Sequence, residues 1–274
     1  MKTGAHIWIS GGFEKASETA VYLGCQCIQI FLHNPRSWKV SEKNEQDLIV
    51  FVRKLKKKNI KPLVVHMPYL INLSSSDREI FSRSIERLQM EINEAEKMKA
   101  DFYVIHPGGC YFKPAGLKQL TGVLSQFNGM NIKILVENTS GQGNQLGGTW
   151  KELGYLYQKS KNIGFCFDTA HAFAAGNDFT CREGFLKMKQ EIEKFFPLDS
   201  ILLVHANDTN SKCGSKLDRH QHLGKGRIGK AGFINLVSDR HFFSLPFIIE
   251  TPKASLKEDR KNLQWLRKLM REKK

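Results

Sequence analysis

Two kinds of hydrophobic segment alternate along the chain. Short apolar runs, typical of buried parallel strands, are separated by longer segments whose apolar residues recur at helical spacing. The strands are predicted at Gly4–Ile9, Cys27–Leu32, Ile60–Val65, Phe102–Ile105, Ile132–Val136, Ile163–Phe167, Ile201–Val204 and Phe247–Ile249. The helices are predicted at Phe13–Leu23, Glu42–Lys57, Asp77–Lys99, Leu117–Phe127, Trp150–Ser160, Gly184–Phe196, Phe233–Asp239 and Leu256–Lys274.

Eight strands that are each followed by a helix favour one α/β architecture, the (β/α)8 or TIM barrel. An open, doubly wound sheet is the main alternative. The sequence contains no linker and no low-complexity segment, so we expect one domain over residues 1–274. In a barrel of this kind the active site lies at the carboxyl ends of the strands.

Composition narrows the classes of protein and partner. Lysine and arginine number 42 and aspartate and glutamate 27, which gives a formal charge of +15 and favours a polyanionic partner such as nucleic acid. A basic enzyme without such a partner is the alternative. The six cysteines form no CxxC pair, which indicates reduced thiols in an intracellular protein. We find neither a secretory signal nor an apolar run long enough for a membrane span.

Six of the predicted strands end in a side chain of a type that binds metal ions. These are His66, His106, Glu137, Asp168, His205 and Glu250. Asp and His at a strand end often only cap the next helix, but capping does not explain why six strands end in this way. His171 follows Asp168 by three residues. Asp218 and His220 are two residues apart, so in an extended segment their side chains would point the same way.

These nine candidate ligands are too many for one ion, because a tetrahedral zinc uses about four. The set therefore predicts two or three ions. Imidazole and carboxylate ligands without thiolate suit zinc or manganese rather than a structural, cysteine-rich zinc site. Bound zinc lowers the pKa of water toward ~7, so such a site could hydrolyse a phosphodiester.

Several motifs in one order carry a resemblance to a known family. They are Gly4–His6, His66–Leu73, His106–Gly108, Glu137–Gly143, Asp168–Gly176, His205–Asp208, Asp218–His220 and His222–Gly224. Over nearly its whole length the chain resembles the endonuclease IV family of apurinic/apyrimidinic (AP) endonucleases. The resemblance implies a (β/α)8 barrel that cuts DNA 5′ to an abasic site, leaves a 3′-hydroxyl and cleans blocked 3′ ends. It also implies three zinc ions, with manganese as an alternative at the third site.

The same resemblance assigns the ligands. It implies one zinc on His66, His106 and Glu137, a second on Glu137, Asp168, His205 and Glu250, and a third on His171, Asp218 and His220. Glu137 would bridge the first two ions and is the predicted catalytic residue. Ala170 departs from a common pattern that has cysteine there, but this is not a ligand position.

The DNA-reading residues are expected in loops that follow strands. The segment 210–230 combines glycines with basic residues, of which Lys212, Arg219, Lys225 and Arg227 are predicted to contact DNA. An abasic sugar must be extruded from the duplex, and bulky side chains must fill the gap. The resemblance assigns this wedge to Arg36, Tyr69 and Leu70. The alternative is that Tyr69 and Leu70 only pack their loop. The basic run Arg53–Lys58 precedes a strand and is interpreted as a solvated helix end on the far face.

The predicted partner is double-stranded DNA with abasic sites, bound by a monomer that does not associate with membranes. The compartment would be the nucleoid-containing cytoplasm of a bacterium, or the nucleus or mitochondrion of a eukaryote. Two rival functions remain open at this point. A sugar isomerase or epimerase would also collect Glu, Asp and His at strand ends, but it would need neither Asp218 with His220 nor the basic segment. A DNA-damage binder without activity would have lost ligands.

Overall fold

Eight parallel strands close into a barrel in a computed structural model that describes residues 1–40, 45–252 and 255–272. The barrel strands are β1 (Lys2–Ile7), β2 (Cys27–Ile30), β3 (Leu63–His66), β4 (Phe102–Ile105), β5 (Lys133–Glu137), β6 (Ile163–Asp168), β7 (Ile201–His205) and β10 (Pro246–Ile249). Each strand pairs in parallel with its neighbours in chain order, and β10 closes the barrel against β1. The predicted TIM barrel is therefore confirmed, and the open sheet is excluded.

Helices surround the barrel. They are α1 (Gly12–Tyr22), α2 (Glu45–Lys57), α3 (Arg78–Lys97), α4 (Lys113–Ser125), α5 (Trp150–Lys159), α6 (Thr169–Ala174), α7 (Arg182–Glu193), α8 (Gly229–Ser238), α9 (Arg240–Ser244) and α10 (Leu256–Glu272). The predicted start of α2 at Glu42 and the predicted end of α10 at Lys274 lie outside the described residues. None of the described helices is both long and apolar enough to cross a membrane.

The structure adds elements that periodicity did not predict. Helix α6 follows β6 directly and is too short to show a period; Asp168 caps it by accepting the N–H of His171. Asp239 adopts an extended conformation that ends α8 and caps α9. Two short antiparallel strands, β8 (Asp208–Thr209) and β9 (His220–Gln221), form a hairpin after β7. Helix α4 begins at Lys113 rather than Leu117 because Pro114 in its first turn favours helix initiation.

Two apolar cores hold the barrel together. The larger one lies between the strands and the helices and contains most of the buried aromatic residues. The smaller one fills the barrel interior with one side chain from each of seven strands: Cys27, Val64, Val104, Leu135, Cys166, Leu203 and Ile248. Gly4 occupies the corresponding position in β1, because a Cβ there would lie 1.7 Å from the carbonyl oxygen of Cys27. This interior layer is the floor of the candidate site.

Candidate metal centre

One ring of polar side chains lies directly above the apolar interior layer. Successive side chains of a strand alternate between faces, so residues two positions further along point into the barrel again. Applied to the interior layer, this spacing gives His6, Gln29, His66, His106, Glu137, Asp168, His205 and Glu250. All six predicted strand-end ligands therefore belong to one layer at the carboxyl ends of the strands. His6 and Gln29 complete the ring.

Glu137 lies at the centre of this ring and is fully buried. Its Oε2 atom lies 3.2 Å from Nε2 of both His66 and His106. Its Oε1 atom lies 3.2 Å from Nδ1 of both His171 and His205. The two carboxylate oxygens thus face two different groups of imidazoles, as a bridging carboxylate would.

The second and third predicted ligand sets also form clusters. Glu137, Asp168, His205 and Glu250 each present a ligand atom within 4.8 Å of the others. Asp218 joins the third set from the segment after β7: its Oδ2 lies 3.2 Å from His171 Nε2, and its Oδ1 lies 3.3 Å from His220 Nε2. The structure therefore brings together all nine predicted ligands, although they come from separate loops and strand ends.

Hydrogen bonds orient four of the five imidazoles. His66 Nδ1 donates to the carbonyl oxygen of Met67 at 2.7 Å, and His205 Nε2 donates to Gln29 Oε1 at 2.8 Å. His171 Nδ1 lies 2.9 Å from the Asn138 carbonyl oxygen, and His220 Nδ1 lies 3.2 Å from that of Glu250. Each bond assigns the proton to one ring nitrogen and directs the lone pair of the other toward the cluster, which is the usual arrangement of metal-binding histidines.

Several ligand atoms of the cluster lack a hydrogen-bond partner among the residues described, as expected of atoms that bind a cation. Glu137 Oε1, His205 Nδ1 and His220 Nε2 are buried and have no hydrogen-bond partner among the residues described. Buried polar atoms are rarely left in this state. Ligands that bind one zinc at about 2.0–2.1 Å with tetrahedral angles lie about 3.3 Å apart, which matches the contacts between nitrogen and oxygen around Glu137. The donor set is chemically and geometrically suited to zinc.

The charges of the cluster shift the pKa values of its carboxylates and imidazoles. Burial alone would raise the pKa of Glu137, but the imidazoles of His205 and His106 outweigh it and hold the pKa well below the usual value. Burial opposes protonation of His171, yet Asp168 and Asp218 raise its pKa well above the usual value. Glu137 is therefore held as a carboxylate, and His171 is the group at which protons and metal ions compete.

Two asparagines, for which the sequence indicated no role, hold the carboxylates. Asn138 accepts the backbone N–H of Asp168 at 2.8 Å and donates to its carbonyl oxygen at 3.0 Å. Asn207 donates to Asp168 Oδ2 at 2.6 Å and accepts the N–H of Glu250 at 2.8 Å. Asn138 directly follows the ligand Glu137, and Asn207 follows the ligand His205 by two residues. This closeness in the chain is the signal that could have identified them.

An aromatic group borders the metal cluster. Tyr69 is 57% exposed, and its ring packs edge-on against Phe31 with centroids 5.2 Å apart. Phe31 contacts the rings of His6 and His66 at 4.4 and 5.4 Å. Leu70 is half-buried in the same loop, and Arg36 is exposed after β2. The three predicted wedge residues thus lie in the two neighbouring loops that follow β2 and β3.

Comparisons with known proteins show which family this chain is similar to. Residues 18–269 match the protein family described as xylose isomerase-like TIM barrel. The chain is 35% identical to the probable endonuclease 4 of Halothermothrix orenii over 93% of this chain and 95% of that protein. It is 38% identical to the probable endonuclease 4 of Aquifex aeolicus over 97% and 96% of the two chains. The crystal structure of endonuclease IV from Thermus thermophilus superposes with a TM-score of 0.88 at 29% identity, covering 99% and 100% of the two chains.

The chain belongs to the endonuclease IV family. The resemblance predicted from the motifs is thereby confirmed, as is its assignment to hydrolases of the endonuclease IV type. A non-catalytic binder that had lost ligands is not supported, because each predicted ligand is present and lies in the cluster.

In this member of the endonuclease IV family one carboxylate organises the basic segment after β7. Asp208 is fully buried and accepts the backbone N–H groups of five residues: Thr209, Gly224, Gly226, Ile228 and Gly229. Gly226 has to be glycine because a Cβ there would lie 2.4 Å from Asp208 Oδ1. The chain from 224 to 229 therefore wraps around one side chain.

The basic segment exposes the predicted DNA-contacting cations to solvent. Lys212, Arg219, Lys225 and Arg227 are all exposed. The loop after β5 supports the same segment, since Gln142 Oε1 accepts the N–H of Asp218 at 3.3 Å. His222, next to the third ligand set, accepts a hydrogen bond from Asn262 of α10 at 3.0 Å.

All six cysteines are free thiols, as predicted.

Proposed function

We propose that this protein is an AP endonuclease of base-excision repair. It hydrolyses the phosphodiester 5′ to an abasic site in double-stranded DNA and leaves a 3′-hydroxyl. It also removes blocking groups from 3′ ends, because these groups are joined to the same sugar position by the same kind of ester. The observation that carries the proposal is the third ligand set of His171, Asp218 and His220 beside the Glu137 cluster, on a chain that belongs to the endonuclease IV family.

The proposed centre holds three zinc ions on nine ligands. We assign one zinc to His66, His106 and Glu137, a second to Glu137, Asp168, His205 and Glu250, and a third to His171, Asp218 and His220. Zinc, when bound, lowers the pKa of water and neutralises phosphate oxygens. Manganese is the alternative at the third set, because two imidazole nitrogens and a carboxylate suit either metal.

The protein's own residues position the substrate for this chemistry. The two oxygens of Glu137 face different imidazole groups, so this one carboxylate fixes the spacing of the first two sets. Arg219, Lys225 and Arg227, which are exposed in the segment after β7, would bind phosphates on one side of the centre. Tyr69, Leu70 and Arg36 on the other side would enter the gap left by the extruded sugar. The ring of polar residues between them would receive the phosphate.

A sugar isomerase or epimerase is the competing function, because the matched family is described as xylose isomerase-like. Such an enzyme would use the Glu137 cluster alone. It would need neither the third set nor exposed cations around the mouth of the barrel. We also propose that the enzyme acts as a monomer, in a compartment of the cell that contains DNA.

The test is incubation of the zinc-loaded protein with a labelled duplex that contains one tetrahydrofuran abasic analogue. We expect a single cut 5′ to the analogue, with a 3′ end that a DNA polymerase can extend. A matched undamaged duplex should stay whole. An intact abasic duplex, together with epimerisation of a ketohexose by the same preparation, would replace the proposal with the competing function.

A further inference from the structure

Gln29 is the one member of the polar ring that cannot itself carry charge, and it is fully buried on β2. Its Oε1 accepts the Nε2–H of His205 at 2.8 Å. Its Nε2 donates to Glu250 Oε1 at 2.6 Å and lies 2.9 Å from His6 Nδ1. One amide thus contacts two of the four ligands assigned to the second ion.

These contacts determine which atoms remain available for a metal ion. By accepting the Nε2–H, Gln29 keeps the proton of His205 away from the centre and leaves the Nδ1 lone pair facing Glu137 and Glu250, at 3.2 and 3.3 Å. By donating to Oε1 of Glu250, it turns the other oxygen, Oε2, toward His205 Nδ1. Without the amide, His205 could take the opposite tautomer, and Glu250 could rotate toward His6, which lies 3.4 Å away.

We infer that Gln29 is a positioning residue for the second ion of the centre, acting through His205 and Glu250. This inference rests on the proposed metal sets but not on the reaction that they perform. Removing the partner of a metal-binding histidine or carboxylate lowers metal affinity by about 10–100-fold. Only the second ion should be affected, because among the residues described the side chain of Gln29 makes no hydrogen bond to a ligand of the first or the third set.

Two variants test the inference. Gln29→Met keeps the length of the side chain but removes both kinds of hydrogen bond. Gln29→Glu keeps an acceptor for His205 but places a second carboxylate against Glu250. The matched control is Gln119→Met, because Gln119 donates to the backbone of Leu73 and Ser75 away from the ligands.

The readout is the number of zinc ions per chain and their affinities, measured by competition with a chelator, with no DNA present. We expect both Gln29 variants to bind one ion about 10–100-fold more weakly, and the Gln119 variant to match wild type. Wild-type zinc affinity in either Gln29 variant would overturn the inference. The zinc assay contains no DNA, so its result does not depend on the AP endonuclease proposal. That proposal fails separately if zinc-loaded wild-type protein leaves an abasic duplex whole.

A separate observation concerns Trp8, directly after β1 at the mouth of the barrel. Its indole is 47% exposed and is tilted against Phe31, with ring centroids 6.1 Å apart. Because Phe31 also contacts Tyr69, the three rings form a row beside the metal cluster. Trp150, by contrast, is buried in the core. A large exposed aromatic ring beside a predicted DNA wedge is suited to stacking on a base.

We propose that Trp8 stacks on an unpaired base or sugar next to the abasic site and so extends the wedge formed by Tyr69. Loss of one such contact lowers affinity by about tenfold. The Trp8→Ala variant should therefore bind abasic duplex about tenfold more weakly, whereas its binding of undamaged duplex should change much less. Tyr22→Ala is the control, because Tyr22 is also about half exposed but lies at the end of α1 that faces away from the site.

Tryptophan fluorescence gives a direct readout of the same contact. In a Glu137→Gln background, which should keep the duplex whole, abasic DNA should quench the emission, and Trp8→Phe should abolish most of the change. Wild-type affinity in Trp8→Ala, or equal quenching with and without Trp8, would overturn this proposal. If wild-type protein neither bound nor cut abasic DNA, the proposed function itself would fail instead.

Discussion

Replacement of Asp208 by asparagine tests how the basic segment is held. Asp208 Oδ2 accepts the N–H groups of Gly224 and Gly226, both at 3.0 Å. In the asparagine variant one oxygen becomes an NH2 group. If the NH2 group replaces Oδ2, it faces the N–H groups of the two glycines, which then have no acceptor. If the amide flips, the N–H groups of Thr209 and Ile228 lose their acceptor instead.

The magnitude follows from the number of bonds lost. A hydrogen bond to a charged group contributes about 1.5–3 kcal/mol, and either orientation of the amide removes about two of them. Allowing for relaxation, we expect a loss of about 3 kcal/mol in the free energy of unfolding. For a chain of this size that corresponds to a decrease in Tm of about 6–12 °C. The loop that carries Lys225 and Arg227 would also lose its fixed shape, so the Kd for abasic duplex should rise.

Urea unfolding and DNA binding, measured on zinc-loaded protein, are the assays. The control is Asp178→Asn, because Asp178 is exposed and its side chain accepts hydrogen bonds only from Thr180 among the residues described. Its stability and Kd should stay close to wild type. A change of less than about 1 kcal/mol in the free energy of unfolding of Asp208→Asn would mean that this carboxylate does not organise the segment.

Three further predictions concern the centre, the wedge and acid stability. Glu137→Gln should lower cleavage by at least about 100-fold while abasic-DNA binding largely survives, because one bridging charge is lost but the binding loops remain; near-normal turnover in a gel assay would rule out the bridging role. Tyr69→Ala should weaken binding of abasic duplex much more than binding of undamaged duplex, as measured by fluorescence anisotropy, and equal losses would leave Tyr69 a loop-packing residue. Burial raises the pKa of Asp239, but hydrogen bonds from Lys189 and the N-terminus of α9 outweigh it and lower the pKa below 3.8. The stabilisation from Asp239 is therefore present above that pH and is lost as the pH falls through the lowered pKa. Asp239→Asn should narrow the difference in Tm between about pH 5 and about pH 2.5, and an unchanged difference would contradict this sign.

The barrel and the ligand ring could be predicted from the sequence for one physical reason. Parallel strands buried on both faces appear as apolar runs, and the first charged residue after each run lies where the barrel opens. His66, Glu137 and His205 each end a strand in the structure as well. Their side chains point inward because each lies two residues after an interior apolar residue.

The alternation of inward and outward side chains along β2 would also have identified Gln29. It was missed because Gln29 lies inside the apolar run from Ile28 to Leu32 and not at its end. Periodicity also gave no sign of α6 or of the β8–β9 hairpin, because elements of two to six residues are too short to show a period. The role of Asp208 depends on contacts with residues 16–21 positions later in the chain. Such contacts become visible only when the loop has folded.

We propose that nine side chains hold three zinc ions, and the metal content of the purified protein tests this most directly. Zinc per chain should be measured for wild type and for Asp218→Ala after removal of loosely bound metal. We expect three ions in the wild type and two in the variant, since only the third set loses a ligand. A wild type that binds a single ion, or an Asp218→Ala variant that keeps the wild-type number and affinities, would contradict it.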